Sequence, residues 1–283
     1  MRPAHYITLV IALALIAFLY WGANTTPPGK LAQGQRTTGA TSGANTMKPA
    51  SFDSVLASSR SQLPKTAADE LKTIENELTA TRDSSRMAAV FLRMAHIWEI
   101  NKFQPVAAYY GAKAAKLENS EKKLNFAGQF FMDLLHEAGV SESMQLWEAN
   151  EAIACFKRSL ELDPNNDTTK IMLAAAYVDG TGETMQGVQL LLSLTRQKPD
   201  NLPANLLLGK LAVRSGQFDK AIKRFEMILN KYPDNSEALY FMAEAYKGKG
   251  DKQKAIELFE KCKRIVNKPE FSKEVDEYIN SFK

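Results

Sequence analysis

The 283-residue sequence is poor in the residue types from which catalytic and metal centres are usually built. It has three histidines, His5, His96 and His136, and two cysteines, Cys155 and Cys262. No zinc-type ligand pattern surrounds His96 or His136, so both read as structural or surface side chains and no metal is expected. The cysteines are far apart and each falls in a helical pattern, which favours two free buried thiols over a disulfide and leaves the redox compartment open. A large excess of one charge is also missing. Lys and Arg total 36 against 32 for Asp and Glu, with the signs interleaved, so the basic stripe that nucleic acid requires is absent. The stretch GTGE, Gly180 to Glu183, lacks the lysine and the preceding strand of a phosphate-binding loop. Ser, His and Asp occur, but no nucleophile motif joins them. Strand-like alternation never persists. These absences argue against an enzyme and against any cofactor, and they leave binding.

One long apolar run is present, near the start of the chain. YITLVIALALIAFLYWG, residues 6–22, carries no charge. As a helix it would be about 26 Å long, close to the roughly 30 Å hydrocarbon core of a bilayer. Its Leu, Ile, Val and Phe side chains favour insertion by roughly 3–5 kcal/mol. Tyr6 at one end and Tyr20 with Trp21 at the other suit the two headgroup zones. A cleaved secretory signal is the alternative, but it needs small residues before the cut, where bulky Tyr20 and Trp21 stand. A lipoprotein signal needs a cysteine after the run, and none is there. Residues 6–22 are therefore expected to form an uncleaved, single-pass signal-anchor helix behind a short tail, residues 1–5. The flanking charges, Arg2 and His5 before and Lys30 and Arg36 after, are nearly balanced. The short tail favours a cytoplasmic N-terminus, with the bulk of the chain on the extracytoplasmic, periplasmic side.

Residues 23–50 are rich in Gly, Thr, Ala, Asn and Gln and have no apolar period. Such a segment buries too little surface to offset its ordering entropy. It reads as a tether spanning about 30 Å on average. From Ser51 onward every long segment has helical period. SFDSVLASSRSQL predicts a short helix stopped at Pro64, and Thr66–Thr79 predicts a second.

The remainder repeats. In GQFDKAIKRFEMILNKYPDN, Ala221 and Phe225 stand four apart and Pro233 closes the run. Thirty-four residues later stand Ala255 and Phe259; thirty-four earlier, Gly187 and Leu191; thirty-five before those, Ala152 and Phe156. Pro164, Pro199 and Pro233 keep the same step. A second helix with a bulky–small pair precedes each, as in Leu208–Gly209, Leu173–Ala174–x2–Tyr177 and Met242–Ala243–x2–Tyr246. Two helices approach closely only if a small residue sits at their crossing. Ala221 and Gly209 supply that gap, Phe225 fills the groove beside it, and proline ends the helix.

The phased pattern resembles the tetratricopeptide repeat (TPR), a 34-residue helix hairpin, over about two-thirds of the chain. The resemblance implies an all-α, right-handed superhelix, an α-solenoid of about five helix pairs, with extra N-terminal helices and a C-terminal capping helix. The domain would span residues 51–283, with repeats at about 88–121, 122–166, 167–201, 202–235 and 236–269, and a cap at 270–283. The structural positions are Ala95, Trp98, Ala107, Ala152, Phe156, Pro164, Tyr177, Gly209, Ala221, Phe225, Pro233, Tyr246, Ala255 and Phe259. Two departures stand out. Gly111 takes an aromatic slot, with Tyr110 adjacent. The second unit, read from Phe126–Ala127–x2–Phe130, is eleven residues too long near HEAGVSESMQLWE, which predicts an extended first helix or an inserted loop.

The resemblance also implies a concave binding surface lined by the first helix of each pair. By phase it contains Leu92, His96 and Glu99, then Ala175 and Val178, then Leu206, Lys210 and Arg214, then Tyr240, Glu244 and Lys247. Leu206, Leu207, Tyr240 and Phe241 occupy the places where a clamp for a terminal carboxylate would need polar residues. The mixed groove suits an extended or helical segment of a protein partner. The expected function is a non-catalytic, membrane-tethered scaffold that recruits or organises proteins. The alternative is an envelope assembly factor or holdase for an unfolded client, similar to the anchored TPR proteins of cytochrome c maturation. Self-association into a homo-oligomer is a third reading.

Overall fold

The computed structural model describes residues 48–283. The expected tail, the apolar run at 6–22 and nearly all of the tether lie outside the described residues. Among the described residues no helix is long and apolar enough to cross a membrane.

The described chain is all helical: α1 (Phe52–Arg60), α2 (Lys65–Ala80), α3 (Ser84–Ile100), α4 (Gln104–Leu117), α5 (Glu121–Leu135), α6 (Glu142–Leu162), α7 (Asp167–Ala175), α8 (Thr184–Gln197), α9 (Leu202–Arg214), α10 (Phe218–Lys231), α11 (Ser236–Lys249), α12 (Lys252–Val266) and α13 (Pro269–Asn280). Helices α3/α4, α5/α6, α7/α8, α9/α10 and α11/α12 pack as hairpins, and each hairpin packs on the next. The core is accordingly a row of apolar clusters, most of them bridging neighbouring pairs. One pair leaves an apolar face open, and stacking closes it.

Local chemistry sets the helix ends. Helices α6, α8 and α10 stop two residues before Pro164, Pro199 and Pro233. The next helix then starts on an asparagine cap. Asn166, Asn201 and Asn235 accept backbone N–H bonds from Thr169, Ala204 and Ala238 at 3.0, 3.0 and 2.8 Å. Each such cap contributes about 0.5–2 kcal/mol. Within the fourth and fifth pairs the chain turns through Gly216 (φ 72°) and Gly250 (φ 87°), a left-handed backbone that suits glycine. The third pair carries one extra residue there, and the structure absorbs it as a wider π turn, Ala176–Gly180, at the end of α7.

The crossings are tight. Ala152, Phe156, Ala221, Phe225, Ala255 and Phe259 are fully buried. A Cβ on Gly209 would lie 2.6 Å from the Phe225 ring, and one on Gly128 would lie 2.6 Å from the Phe156 ring. Gly187 approaches backbone instead: its Cβ would meet the carbonyl oxygen of Ala174 at 2.6 Å. Burying each of these rings contributes about 1.5–3 kcal/mol. The Gly128 contact also shifts the phase of the second unit. The small residue at its crossing is Gly128, with Ala127 in the preceding bulky slot, so Phe126 falls outside the core.

The surplus near residue 140 lengthens the second helix of its pair and the connection before it, residues 136–141, but not the first helix. Helix α6 has 21 residues and starts at a Ser141 cap. Its extra turns bury Trp147, which meets Phe131 edge-on at 5.7 Å. Phe52 of α1 stacks on Tyr109 at 3.5 Å and lies 6.3 Å from Trp147. At the Gly111 departure a Cβ would meet nothing within 4 Å, while Tyr110 is buried and stacks on Phe91 at 6.0 Å. The neighbouring tyrosine therefore takes over the aromatic role. The extension also buries Glu148, whose Oε2 has no hydrogen-bond partner. Burial, aided by the charge of Glu137, pushes this carboxyl up to about 7.

Candidate docking surface

The first helices of the pairs carry two different kinds of surface. On α3, Leu92, His96 and Ile100 recur every four residues and face solvent, with Leu92 42% and Ile100 58% exposed. His96 lies 3.8 Å from Glu99, and both are exposed. On α5, Phe126 is 75% exposed and stacks on half-buried Phe130 at 6.4 Å. Burying such side chains against a partner would be favourable, and nothing within the described residues covers them.

On α9 and α11 the side chains are engaged with one another. Lys210 pairs with Glu237 of the next pair and stands 4.9 Å from the Phe241 ring. Arg214 reaches back to Asp179 at 3.1 Å. Leu206 is half-buried against the cluster of Phe225 and Ile228. Tyr240 is half-buried and meets Phe259 edge-on at 5.2 Å. Lys247 donates to the hydroxyl of Tyr278 on α13 and lies 4.1 Å from that ring. Burial pushes the Tyr278 hydroxyl up to about 12, and a hydrogen bond and the charge of Glu244 add to the shift. Burial likewise raises Tyr240, again with Glu244 contributing. Glu244 Oε1 is itself buried without a partner.

The expected groove residues therefore fall into two groups. His96 and Glu99 form one exposed pair on α3. Leu206, Lys210, Arg214, Tyr240, Glu244 and Lys247 form a contiguous, partly self-satisfied strip that α13 extends through Tyr278. Val178 is buried and Ala175 half-buried, so the third pair presents little side chain there. Phase reasoning passed over Ile100 and gave Phe126 a packing slot that the structure leaves exposed. The sequence offered two adjacent small residues in α5, Ala127 and Gly128, and the close approach of the Phe156 ring is what selects Gly128 and leaves Phe126 outside the core.

Both cysteines are free and buried. Desolvation pushes the Cys155 thiol up to about 12 and raises that of Cys262, so neither is poised as a nucleophile. Among the described residues no group of three His, Cys, Asp or Glu side chains could hold a metal ion.

Stacked helix hairpins, each closed by a small residue and most by an aromatic beside it, define a helical-repeat fold. Comparison with known proteins refines that class. Residues 142–238 match the family described as the cytochrome c-type biogenesis protein H TPR domain, and residues 212–271 match a tetratricopeptide-repeat family. Residues 142–271 are thus similar to tetratricopeptide repeats. Interferon-induced protein with tetratricopeptide repeats 2 of Mus musculus is 25% identical over 150 residues, 48% of this chain and 32% of that protein. Cellulose synthase operon protein C of Pseudomonas fluorescens (strain SBW25) is 28% identical over 142 residues, 49% of this chain and 11% of that protein. The matches thus cover less than a third of either relative's length. Among solved structures, PilW, a type IV pilus biogenesis factor, superposes with a TM-score of 0.50 at 18% identity, covering 79% of this chain and 95% of that one. That likeness shows the shared fold.

Proposed function

We propose that the chain is a non-catalytic protein-binding scaffold that recruits or organises partner proteins or peptide segments on the first helices of its repeats. Residues 6–22 tether it to a membrane, and the repeats lie on the extracytoplasmic side. The observation that carries the reading is the exposed apolar surface of α3 and α5. Among the described residues Leu92, Ile100 and Phe126 stay exposed, Phe126 meeting only the half-buried Phe130, while the same helices bury their opposite faces. Exposed large apolar side chains on the first helices of successive hairpins favour a docked partner over a solvated face. The test is proximity labelling from the intact chain, compared with a variant carrying Leu92→Ser, Ile100→Ser and Phe126→Ser. Loss of the neighbours recovered with the parent is expected, and an unchanged set would refute the surface. A topology reporter fused after Lys283 tests the membrane side; activity only in the cytoplasm would overturn it.

The match of residues 142–238 to the TPR domain of cytochrome c-type biogenesis proteins favours a second reading. In it the chain is an envelope assembly factor that holds an unfolded client. The purified chain would then suppress aggregation of an unfolded apocytochrome at stoichiometric amounts, and a client that aggregates equally with and without it removes this reading.

A further inference from the structure

A separate cleft of about 360 Å³ lies between α8, α9 and α10. Its apolar floor comes from Val188 and Leu192 of α8 and from Leu208 and Leu211 of α9. Lys220 and Arg224 of α10 line it, and no carboxylate does. Met185 stands at the same cleft and is 67% exposed.

Arg224 is set apart by being half-buried without a carboxylate. Arg60, Arg93, Arg158 and Arg214 each meet one, and Arg82, Arg86, Arg196 and Arg264, which form no ion pair among the described residues, are exposed to solvent. Arg224 instead donates from Nη1 to the amide oxygen of Asn205 at 2.7 Å. Asn205 is buried, and its Nδ2 donates to the carbonyls of Pro199 and Asn201 at 2.8 and 3.0 Å. Those two bonds set the amide so that its oxygen faces Arg224. The guanidinium is thus held in place by a neutral group and keeps further N–H donors free. Desolvation alone lowers its pKa, the mark of a half-buried cation without counter-charge. Lys220 donates only to the Gln217 side chain, at 2.7 Å. Among the described residues neither cation has an ion-pair partner.

We propose that this cleft is a second docking site, distinct from the first-helix surface. It takes an internal segment of a partner protein that places an apolar side chain on the floor and an Asp or Glu side chain against Arg224 and Lys220. The two cations stand one turn apart on α10, which matches a carboxylate carried beside an apolar residue along a continuous segment. The guanidinium can accept that carboxylate through two parallel bonds. The partner's charge supplies what the fold leaves out, and its apolar side chain covers Leu192 and Leu208.

Fluorescence anisotropy with the full chain tests this. The probe is a labelled, end-capped helical peptide with Leu and Glu four residues apart. A second probe has Gln for Glu, and a third has Gln and a free C-terminal carboxylate. The Glu probe is expected to bind at least about tenfold tighter than the Gln probe, as a desolvated charged pair requires. Arg224→Gln and Lys220→Glu should each remove that preference, and Leu92→Ser should leave it intact. Lys220 is exposed, so its substitution reads the site without disturbing the fold. Equal binding of the Glu and Gln probes, or a preference that survives both substitutions, would overturn the site. A free-terminus probe that binds as tightly as the Glu probe would mean that the cleft reads chain ends, contrary to the proposal. Loss of binding in Leu92→Ser would move the peptide to the first-helix surface, sinking this cleft and leaving the scaffold reading in place.

Discussion

Helices α3 and α9 occupy equivalent places in their hairpins and bury equivalent faces, yet their outward faces differ. On α3 the outward side chains are Leu92, His96 and Ile100, and they touch little. On α9 they are Leu206, half-buried against the Phe225 cluster, and Lys210 and Arg214, each drawn to a neighbouring pair. The repeat pattern constrains the crossing and leaves the outer face free to vary. At one end the free face is an unsatisfied apolar surface; at the other, ion pairs and cation–aromatic contacts weld successive first helices together. The difference separates a surface suited to docking from one that reinforces the stack.

The sharpest way to test that division compares two phenylalanines. Phe225→Ala should cost about 3–5 kcal/mol through a core cavity. Phe126→Ala should change stability by no more than about 0.5 kcal/mol, because the ring is already in water. Urea denaturation of both variants checks the contrast, and equal losses would break it. Two glycines give the next largest separation. Gly187→Ala must push against the Ala174 carbonyl and should cost about 1–3 kcal/mol. Gly111→Ala has open space in a helix interior and should gain about 0.5–1 kcal/mol. Calorimetric Tm values of opposite sign are the expected result.

Glu148 supplies a pH test of the central region. Its folded-state pKa, about 7, lies above the ordinary 4.5. The folded chain therefore holds a proton that the unfolded chain has released between those values. Stability should fall as pH rises from about 4.5 through 7, and the penalty should stay in place above that. Glu148→Gln should flatten the dependence and stabilise the protein by about 1–2 kcal/mol at pH 8. Urea midpoints across pH 4.5–8 provide the measurement; an unchanged slope in the variant would assign the dependence elsewhere. The smallest effect belongs to the welded end. A double-mutant cycle on Lys210 and Glu237 should return a coupling of about 0.2–1 kcal/mol that weakens in high salt. A coupling of zero would remove the reinforcing role of that strip.

Much of this architecture was legible in the order of residues, because the contact that matters recurs. Ala221 with Phe225 and Ala255 with Phe259 solve the same packing problem, so one signature repeats with one spacing. The second unit was harder to read. Its small residue is Gly128, next to an alanine that fits the slot nearly as well, and only the Phe156 ring decides between them. The lengthening of α6 was unreadable for a related reason: Trp147 needs Phe131, Tyr109 and Phe52, which come from three other helices. Burial of Glu148 follows from that same non-local packing. For the surface, phase alone located Lys210 and Tyr240 on the outward face. It did not tell which outward residues neighbours would occupy, since Glu237, Asp179 and Tyr278 arrive from other pairs. Arg224 gave no local signal, because a missing counter-charge is visible only once all nearby helices are in place.

The entry of the chain has a mechanical consequence. The amide of Ala50 donates to the carbonyl of Ser143 at 2.8 Å, and Phe52 wedges among Tyr109, Tyr110 and Trp147. The leading strand is therefore fastened at the flank of the second hairpin, some ninety residues further along, before the chain winds through α2 and α3. A pull on the residues ahead of Ala50 would load this buckle in shear instead of peeling helices off one by one. Hairpins α3/α4 and α5/α6 would bear that tension jointly, and the later repeats would feel it last.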